Sequence, residues 1–159
     1  MQLSVLSVLL PAMAFAGVER VANFALLDHH GASHQLRKYG DSKAVVLISL
    51  ASRCEANINS LHKYRLLRTT WENQGISFIA IDASSEDELA DLRLMDQRYH
   101  LDMPILNDSS QLVAENLGIS KAGEILVLEP QRMRVLYRGG LDIEPVSYTH
   151  LTLPTKRIV

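Results

Sequence analysis

The chain of 159 residues has very little cysteine: a single one, Cys54. One cysteine excludes a disulfide within the chain, a C-x-x-C redox pair and the cysteine-rich zinc sites. Basic runs, glycine-rich phosphate loops, low-complexity tracts and internal repeats are also missing, and the net charge is −2. These absences give no reason to expect nucleic acid as a partner, and neither a metal nor another cofactor is expected.

The N-terminus carries an uncharged apolar stretch that ends in Ala14-Phe15-Ala16, an A-x-A pattern typical of a cleavage site. We predict a signal peptide over residues 1–16, and therefore a periplasmic or secreted protein. The stretch is too short to span a bilayer, so no membrane contact beyond this leader is expected. Because no Lys or Arg precedes the apolar core, a buried N-terminal strand or helix is the alternative.

The C-terminal residues 145–159 form a distinct tail. Residues 146–155 resemble the in-frame translation of a DNA-sequencing adapter, and we predict that the tail is not native. The alternative is an ordinary strand, because residues 148–153 alternate between polar and apolar side chains. One domain is then expected over residues 17–144, a length that suits a single hydrophobic core.

Hydrophobic periodicity over this domain predicts alternating strands and helices. The predicted strands are 24–27, 45–50, 76–81, 125–128 and 135–137, with a short extended piece at 103–106 and a segment at 33–36 that either pairs back or leads on. One helix is predicted over 57–73, a second begins at a capping box of Ser85 and Glu88, and a short third runs from Asp108 to Gly118. The apolar faces expected to be buried are Ile58, Leu61, Tyr64, Leu67 and Trp71 on the first helix, and Leu89, Leu92, Met95 and Tyr99 on the second.

The last two predicted strands are close enough in sequence to form an antiparallel hairpin. With the parallel units before it, the hairpin predicts an α/β fold with a mixed central sheet and flanking helices. A final C-terminal helix would normally cover such a hairpin. The fold is expected to lack it here, which leaves one face of the last strands exposed.

Cys54 lies between the apolar run 44–50 and the first predicted helix. A helix N-terminus offers unpaired N–H groups and a partial positive charge, and both favour thiolate over thiol. Arg53 adds a positive charge beside the thiol and Glu55 a negative one, while water screens both. Cys54 is therefore the candidate catalytic residue with Arg53 as weak electrostatic support, and the alternative is a small buried hydrophobe.

Several short motifs follow one another along the domain. They are Phe24-Ala25-Leu26-Leu27-Asp28 leading to Gly31, Cys54 between strand and helix, Pro104-Ile105-Leu106 before Asp108, Gln111-Leu112-Val113 before Leu117-Gly118-Ile119, and Tyr137-Arg138-Gly139. With these motifs, residues 24–142 resemble the redoxin domains of the alkyl hydroperoxide reductase and thiol-specific antioxidant group, which is related to the peroxiredoxins. The resemblance implies a thioredoxin-like fold and a thiol-dependent oxidoreductase or antioxidant that reduces a small peroxide or a disulfide.

The chain departs from the patterns of this family around Cys54. Peroxiredoxins of the group place a Pro seven residues and a Thr or Ser three residues before the reactive cysteine, where this chain has Leu47 and Ala51. Thioredoxins carry a second cysteine at the position of Asn57, and a cis-proline ahead of the hairpin, where the segment 120–124 has none. A non-catalytic thioredoxin-like scaffold or docking module of a longer extracytoplasmic protein is therefore the alternative function.

The resemblance also bears on charge and on partners. The loop over 120–124 should face the cysteine, so Lys121 is a second weak electrostatic candidate, with an ordinary solvated lysine as the alternative. Because no second cysteine resolves an oxidised Cys54, the resemblance implies an external thiol reductant or disulfide partner.

Three histidines, His29, His30 and His34, lie on or near the first predicted turn. Three such residues within a short segment could bind a metal, but the ligand spacing matches no recognised pattern. They are interpreted as surface loop histidines.

Overall fold

The computed structural model describes residues 19–141. The predicted leader over 1–16 and the predicted tail over 145–159 lie outside the described residues, so both stay predictions. Over the described range, helices are all too short or too polar to cross a membrane.

The described chain folds into strands and helices that alternate along the sequence. The strands are β1 (Ala25–Leu27), β2 (Ser33–Gln35), β3 (Ala44–Leu50), β4 (Ile76–Asp82), β5 (Ile105–Asn107), β6 (Glu124–Glu129) and β7 (Arg134–Gly140). The α-helices are α1 (Glu55–Ile58), α2 (Leu61–Trp71), α3 (Leu89–Tyr99) and α4 (Leu112–Asn116), and 3-10 turns occupy Leu36–Tyr39 and Glu72–Gln74.

A five-stranded mixed sheet with the order β5-β4-β3-β6-β7 forms the centre of the fold. Strands β3, β4 and β5 run parallel, whereas β6 is antiparallel to β3 and β7 is antiparallel to β6. The predicted closing hairpin is thus confirmed. A separate hairpin of β1 and β2 resolves the open question about residues 33–36, which pair back, and Asp28 bridges this hairpin to Leu106 on β5.

The central strand β3 is buried on both faces because hydrophobic layers cover each side of the sheet. Along it, Val46, Ile48 and Leu50 point into one layer, and Val45 and Leu47 into the other, as strand alternation requires. The first layer also contains Leu61, Tyr64, Phe78, Leu92, Met95 and Ile105. The second contains Leu36, Ile79, Ile81, Leu106, Leu117, Leu126 and Leu128.

The first predicted helix differs from the observed one. Instead of one helix over 57–73, a single turn at α1 is separated from α2 by Asn59 and Ser60. The apolar spacing continues across this break, so periodicity alone does not reveal it. Trp71 is the last residue of α2 and is 42% exposed, so its predicted core position was wrong.

The start of α3 also differs from the prediction. The capping box consists of Glu88 and Asp91 rather than Ser85 and Glu88, and the Glu88 N–H donates to Asp91 Oδ2 at 3.0 Å. Residues 83–87 form a loop, because short polar side chains there hydrogen-bond the backbone and compete with helix formation. The later start leaves Asp87 outside the helix.

A short helix follows β5 as predicted, but α4 begins at Leu112, after Gln111 with a φ of +63°, which is later than the predicted cap at residues 108–110. Asp108 is buried, and its Oδ2 accepts a hydrogen bond from the N–H of Ala114 at 2.7 Å. Gly118 follows the helix with a φ of +66°, the left-handed conformation expected of a terminator. On β7, which is an edge strand of the sheet, Leu136 and Tyr137 are about half exposed.

Candidate functional site

Cys54 caps the N-terminus of α1 with an extended backbone (φ −91°, ψ 109°). Its carbonyl oxygen accepts hydrogen bonds from the N–H groups of Asn57 and Ile58, at 3.0 and 2.9 Å. The side chain makes no capping hydrogen bond and is partly exposed. The sulfur therefore lies at the turn from the central strand into a helix and is not engaged in a capping hydrogen bond. Because α1 is only one turn long, fewer aligned peptide dipoles act on it than a helix over 57–73 would supply.

Asn57 occupies the position of a second thioredoxin cysteine and has a structural task there. It is 3% exposed, and its Oδ1 accepts a hydrogen bond from the N–H of Ala51 at 3.0 Å. This bond ties the end of β3 to the first turn of α1 and so closes the loop that carries Cys54. Sequence reasoning noted Asn57 only as a missing cysteine; the available signal was a polar residue at the start of an apolar helix face.

Tyr64 packs in the core as predicted, and its hydroxyl reaches the base of the same loop. Burial raises the pKa of the Tyr64 phenol, hydrogen bonds with Ser60 and Asn57 lower it, and the charge of Cys54 raises it again, with a net upward shift. The phenol is therefore neutral at ordinary pH and can donate a hydrogen bond. This role of the hydroxyl was missed, because helical spacing marked Tyr64 only as a core position.

Gly123 lets the loop before β6 approach this group closely. Its φ is +84°, and a Cβ there would lie 3.3 Å from the Tyr64 hydroxyl. The Gly123 N–H donates to the carbonyl of Ser49 at 2.8 Å, which attaches the loop to β3. Glycine thus satisfies both the backbone conformation and the close contact.

The Arg53 guanidinium pairs with acidic groups and is not a dedicated partner of the Cys54 thiol. Its side chain is 61% exposed, and its Nε lies 3.2 Å from Asp87 Oδ1. The same guanidinium is 3.7 Å from the carboxylates of Glu86 and Asp91 and donates to the Glu86 carbonyl. Its charge is shared among three acidic groups, and electrostatic support for Cys54 stays a prediction.

A buried pair of carboxyl groups lies behind the Cys54 loop. Asp82, the last residue of β4, is 1% exposed, and its Oδ1 accepts the Ser84 N–H at 3.0 Å. Burial raises the pKa of Asp82 to about 7, and the charge and hydrogen bond of the neighbouring Asp87 contribute in the same direction. Asp87 Oδ2 in turn accepts the N–H of Ser52 at 3.0 Å. Sequence reasoning missed this pair; the only signal was an aspartate ending an apolar strand.

A cavity of about 470 Å³ opens at the carboxyl ends of β3 and β4. Its lining includes Ala51, Ser84, Gln111, Glu115 and Lys121. Lys121 is exposed and shares this cavity with Ala51, three residues before Cys54. Crevices at the carboxyl ends of parallel strands are common binding sites in α/β proteins, so the loop of Lys121 borders a candidate binding cavity. The electrostatic role of Lys121 stays a prediction.

The histidine interpretation needs two corrections. His34 lies on β2 and not in a loop, with its Nε2 2.8 Å from Asp28 Oδ2, and His29 is 2% exposed and is not a surface residue. Its Nδ1 accepts the N–H of Ile105 at 3.2 Å, and its Nε2 is 3.4 Å from Asp96 Oδ2, with exposed His30 beside them. A neutral ring that accepts at Nδ1 carries its proton on Nε2, which then has no lone pair for a metal. The three groups do not fit a metal site in this arrangement.

Comparison with known proteins places this geometry among redox folds. Residues 18–139 match the AhpC/TSA family, and no curated protein matches the chain. A hypothetical protein from Sinorhizobium meliloti 1021 is 23% identical with a TM-score of 0.73, over 85% of this chain and 76% of that one. Peroxidoxin BcpB from Mycobacterium tuberculosis is 20% identical with a TM-score of 0.67, over 77% and 84%. A secreted disulfide oxidoreductase from the same organism, homologous to DsbE of E. coli, is 13% identical with a TM-score of 0.59, over 70% and 79%.

The TM-scores show that this chain, with its five-stranded mixed sheet and flanking helices, shares the fold of these solved structures, which confirms the predicted thioredoxin-like fold. The family match extends from residue 18 to residue 139 and so includes every strand and helix described above, except for Gly140 at the end of β7. It also includes the strand-to-helix turn with Cys54. The chain belongs to the AhpC/TSA family.

Proposed function

We propose that the chain is a thiol-dependent oxidoreductase in which Cys54 attacks a small peroxide or a disulfide. The observation that carries the proposal is a partly exposed thiol, free of capping bonds, at the turn from β3 into α1. The family match supports it, as do structural relatives named as a peroxidoxin and a disulfide oxidoreductase.

With a peroxide, the Cys54 thiolate attacks one oxygen of the O–O bond. The sulfur gains that oxygen and becomes a sulfenic acid, while the other oxygen leaves as an alcohol or water after taking a proton. An external thiol then condenses with the sulfenic acid, releasing water and forming a mixed disulfide. A second external thiol reduces this disulfide, restores the Cys54 thiol and leaves as the oxidised partner.

With a disulfide, the Cys54 thiolate displaces one sulfur and forms a mixed disulfide with the other. A second, external thiol again completes the cycle, because the position of Asn57 holds an amide instead of a resolving thiol. The buried Tyr64 phenol is neutral and interacts electrostatically with Cys54, so we propose that it helps to stabilise the developing anion.

The proposed location is extracytoplasmic. It is supported by the predicted leader over residues 1–16 and by a structural relative described as secreted. In an oxidising compartment a lone thiol exchanges with external disulfides, which agrees with a cycle that needs an outside partner.

A single-turnover experiment tests the proposal. The purified chain is mixed with hydrogen peroxide or with a small aromatic disulfide, and mass spectrometry follows the sulfenic acid, trapped with a dione reagent, or the mixed disulfide. The expected result is reaction at Cys54 faster than that of free cysteine at the same pH, and no adduct in Cys54→Ser. Rates equal to free cysteine with both substrates contradict an enzyme.

A non-catalytic scaffold is the second candidate, and Asn57 favours it. This residue fixes the cysteine loop through Ala51 but offers no thiol, and Ala51 supplies no hydroxyl to orient a peroxide. The same experiment separates the two functions. If the chain is a scaffold, Cys54 is unreactive, and replacing Cys54 with Ser leaves the function of the chain unchanged.

A further inference from the structure

Asp82 and Asp87 meet in the interior with almost no access to water. Asp82 is 1% exposed and the Asp87 side chain is 1% exposed. The oxygens left without another hydrogen-bond partner in the described chain are Asp82 Oδ2 and Asp87 Oδ1. Two ionised carboxylates repel strongly where water is excluded, so burial and the neighbouring Asp87 raise the pKa of Asp82.

The pair is connected to the turn that carries Cys54. Asp87 Oδ2 accepts the N–H of Ser52 at 3.0 Å, and Asp87 Oδ1 lies 3.2 Å from Arg53 Nε. Ser52 and Arg53 are the two residues that precede Cys54. A shift of the Asp87 carboxyl therefore moves the backbone on the β3 side of the thiol, whereas Asn57 fixes the helix side.

Charged groups surround the pair from each neighbouring element. They are Arg53 on the cysteine turn, Glu86 and Asp91 at the start of α3, Asp108 after β5, and Glu115 and Lys121 at the cavity lined by Ala83 and Ser84. Among the described residues, Arg53 is the cation that contacts Asp87, but it is mostly exposed and three carboxylates share it. Burial and like charge therefore outweigh it, which accords with an Asp82 pKa of about 7.

We propose that Asp82 is a positioning residue for Cys54: its protonated carboxyl donates to Asp87, and Asp87 then holds the Ser52 N–H and the Arg53 guanidinium. Loss of that proton places two negative charges in contact, separates the carboxyl groups and releases the cysteine turn. The thiol is thereby presented differently below and above neutral pH. The consequence for turnover rests on the proposed function, but the motion of the turn does not.

The Ser52 amide reports the hydrogen bond directly. Its NMR chemical shift and its protection from hydrogen exchange, corrected for intrinsic base catalysis, are measured between pH 5 and pH 9 on the full chain. We expect one transition with a midpoint near pH 7 and loss of protection above it. In Asp82→Asn the amide donates to Asp87 at every pH, so the transition disappears. The control Asp41→Asn, at an exposed site, keeps the wild-type midpoint.

Alkylation of Cys54 by iodoacetamide provides the reactivity readout over the same pH range. The rates are divided by the thiolate fraction measured for each protein, so the ratio of the corrected rates for wild type and Asp82→Asn isolates the turn. We expect that ratio to change through a midpoint near pH 7. A ratio that stays constant, or a Ser52 transition that persists in Asp82→Asn, overturns the proposal.

Asp87→Asn keeps the test decisive if Asp82→Asn does not fold. The introduced amide removes the like charge and can donate to an ionised Asp82, so loss of the Asp82 proton no longer separates the two side chains and the Ser52 transition near pH 7 should disappear. An unchanged midpoint overturns the proposal. If Cys54 proves unreactive toward peroxide and disulfide, the proposed function fails, while the Ser52 transition still decides the role of Asp82.

Discussion

Replacing Asp82 with asparagine should remove a large pH dependence of the free energy of unfolding. The pKa of Asp82 is about 7 in the folded chain against an ordinary value of 3.8. Between these values the folded state holds a proton that the unfolded state has released. Stability is therefore highest at low pH and falls as the pH rises through this window.

The size of the effect follows from the pKa difference. About three pKa units at 1.36 kcal/mol each correspond to about 4 kcal/mol in total, and to about 3 kcal/mol between pH 5 and pH 8. That is a large part of the 5–15 kcal/mol that typically stabilises a domain. The asparagine side chain has the shape of the protonated acid and cannot ionise. Between pH 5 and pH 8, the free energy of unfolding of Asp82→Asn should therefore rise by about 3 kcal/mol relative to that of wild type.

Urea unfolding followed by far-ultraviolet circular dichroism measures this difference. Wild type, Asp82→Asn and the exposed-site control Asp41→Asn are compared at intervals from pH 5 to pH 8, with equal urea slopes required for each pair. Histidine titration cancels in the comparison. A difference between wild type and Asp82→Asn that is independent of pH refutes the assignment of a proton to Asp82.

Three further outcomes are expected. Gly123→Ala should cost about 1–2 kcal/mol of unfolding free energy, because φ is +84° and the new methyl meets the Tyr64 hydroxyl, so the urea midpoint should fall. Ala51→Thr should raise the peroxide oxidation rate of Cys54 about fivefold, the value of one added hydrogen bond of about 1 kcal/mol, and stopped-flow rates unchanged from wild type would contradict this. Burial raises the pKa of Glu124, but hydrogen bonds with a neighbouring guanidinium and a backbone N–H hold the pKa below its usual value. The free energy of unfolding should therefore decrease as the pH falls below about 4.5. Glu124→Gln should flatten that decrease in acid unfolding curves.

Local patterns were enough to place β3, the closing hairpin and the turn that carries Cys54, although not the break between α1 and α2. The apolar run before Cys54 predicted a strand covered on both faces, and all of Val45 to Leu50 is buried. The hairpin of β6 and β7, the left-handed Gly118 and the cysteine at the strand-to-helix turn also agree with the sequence. These features depend on backbone periods and turn preferences within a few residues, which a sequence displays directly.

Contacts between distant segments decided the rest. The N-cap of α3 is Glu88 and not the predicted Ser85, so Asp87 lies outside the helix. There it accepts the N–H of Ser52, which is 35 positions earlier in the chain. His29 is buried, and its ring accepts the N–H of Ile105 on β5. Hydrophobic periodicity does not reveal such pairings, because a polar residue contributes the same local sequence pattern whether its side chain is exposed or buried. The sequence by itself determined where the thiol stands; only the tertiary structure placed a buried acid pair behind it, because burial and charge contact arise when the segments meet.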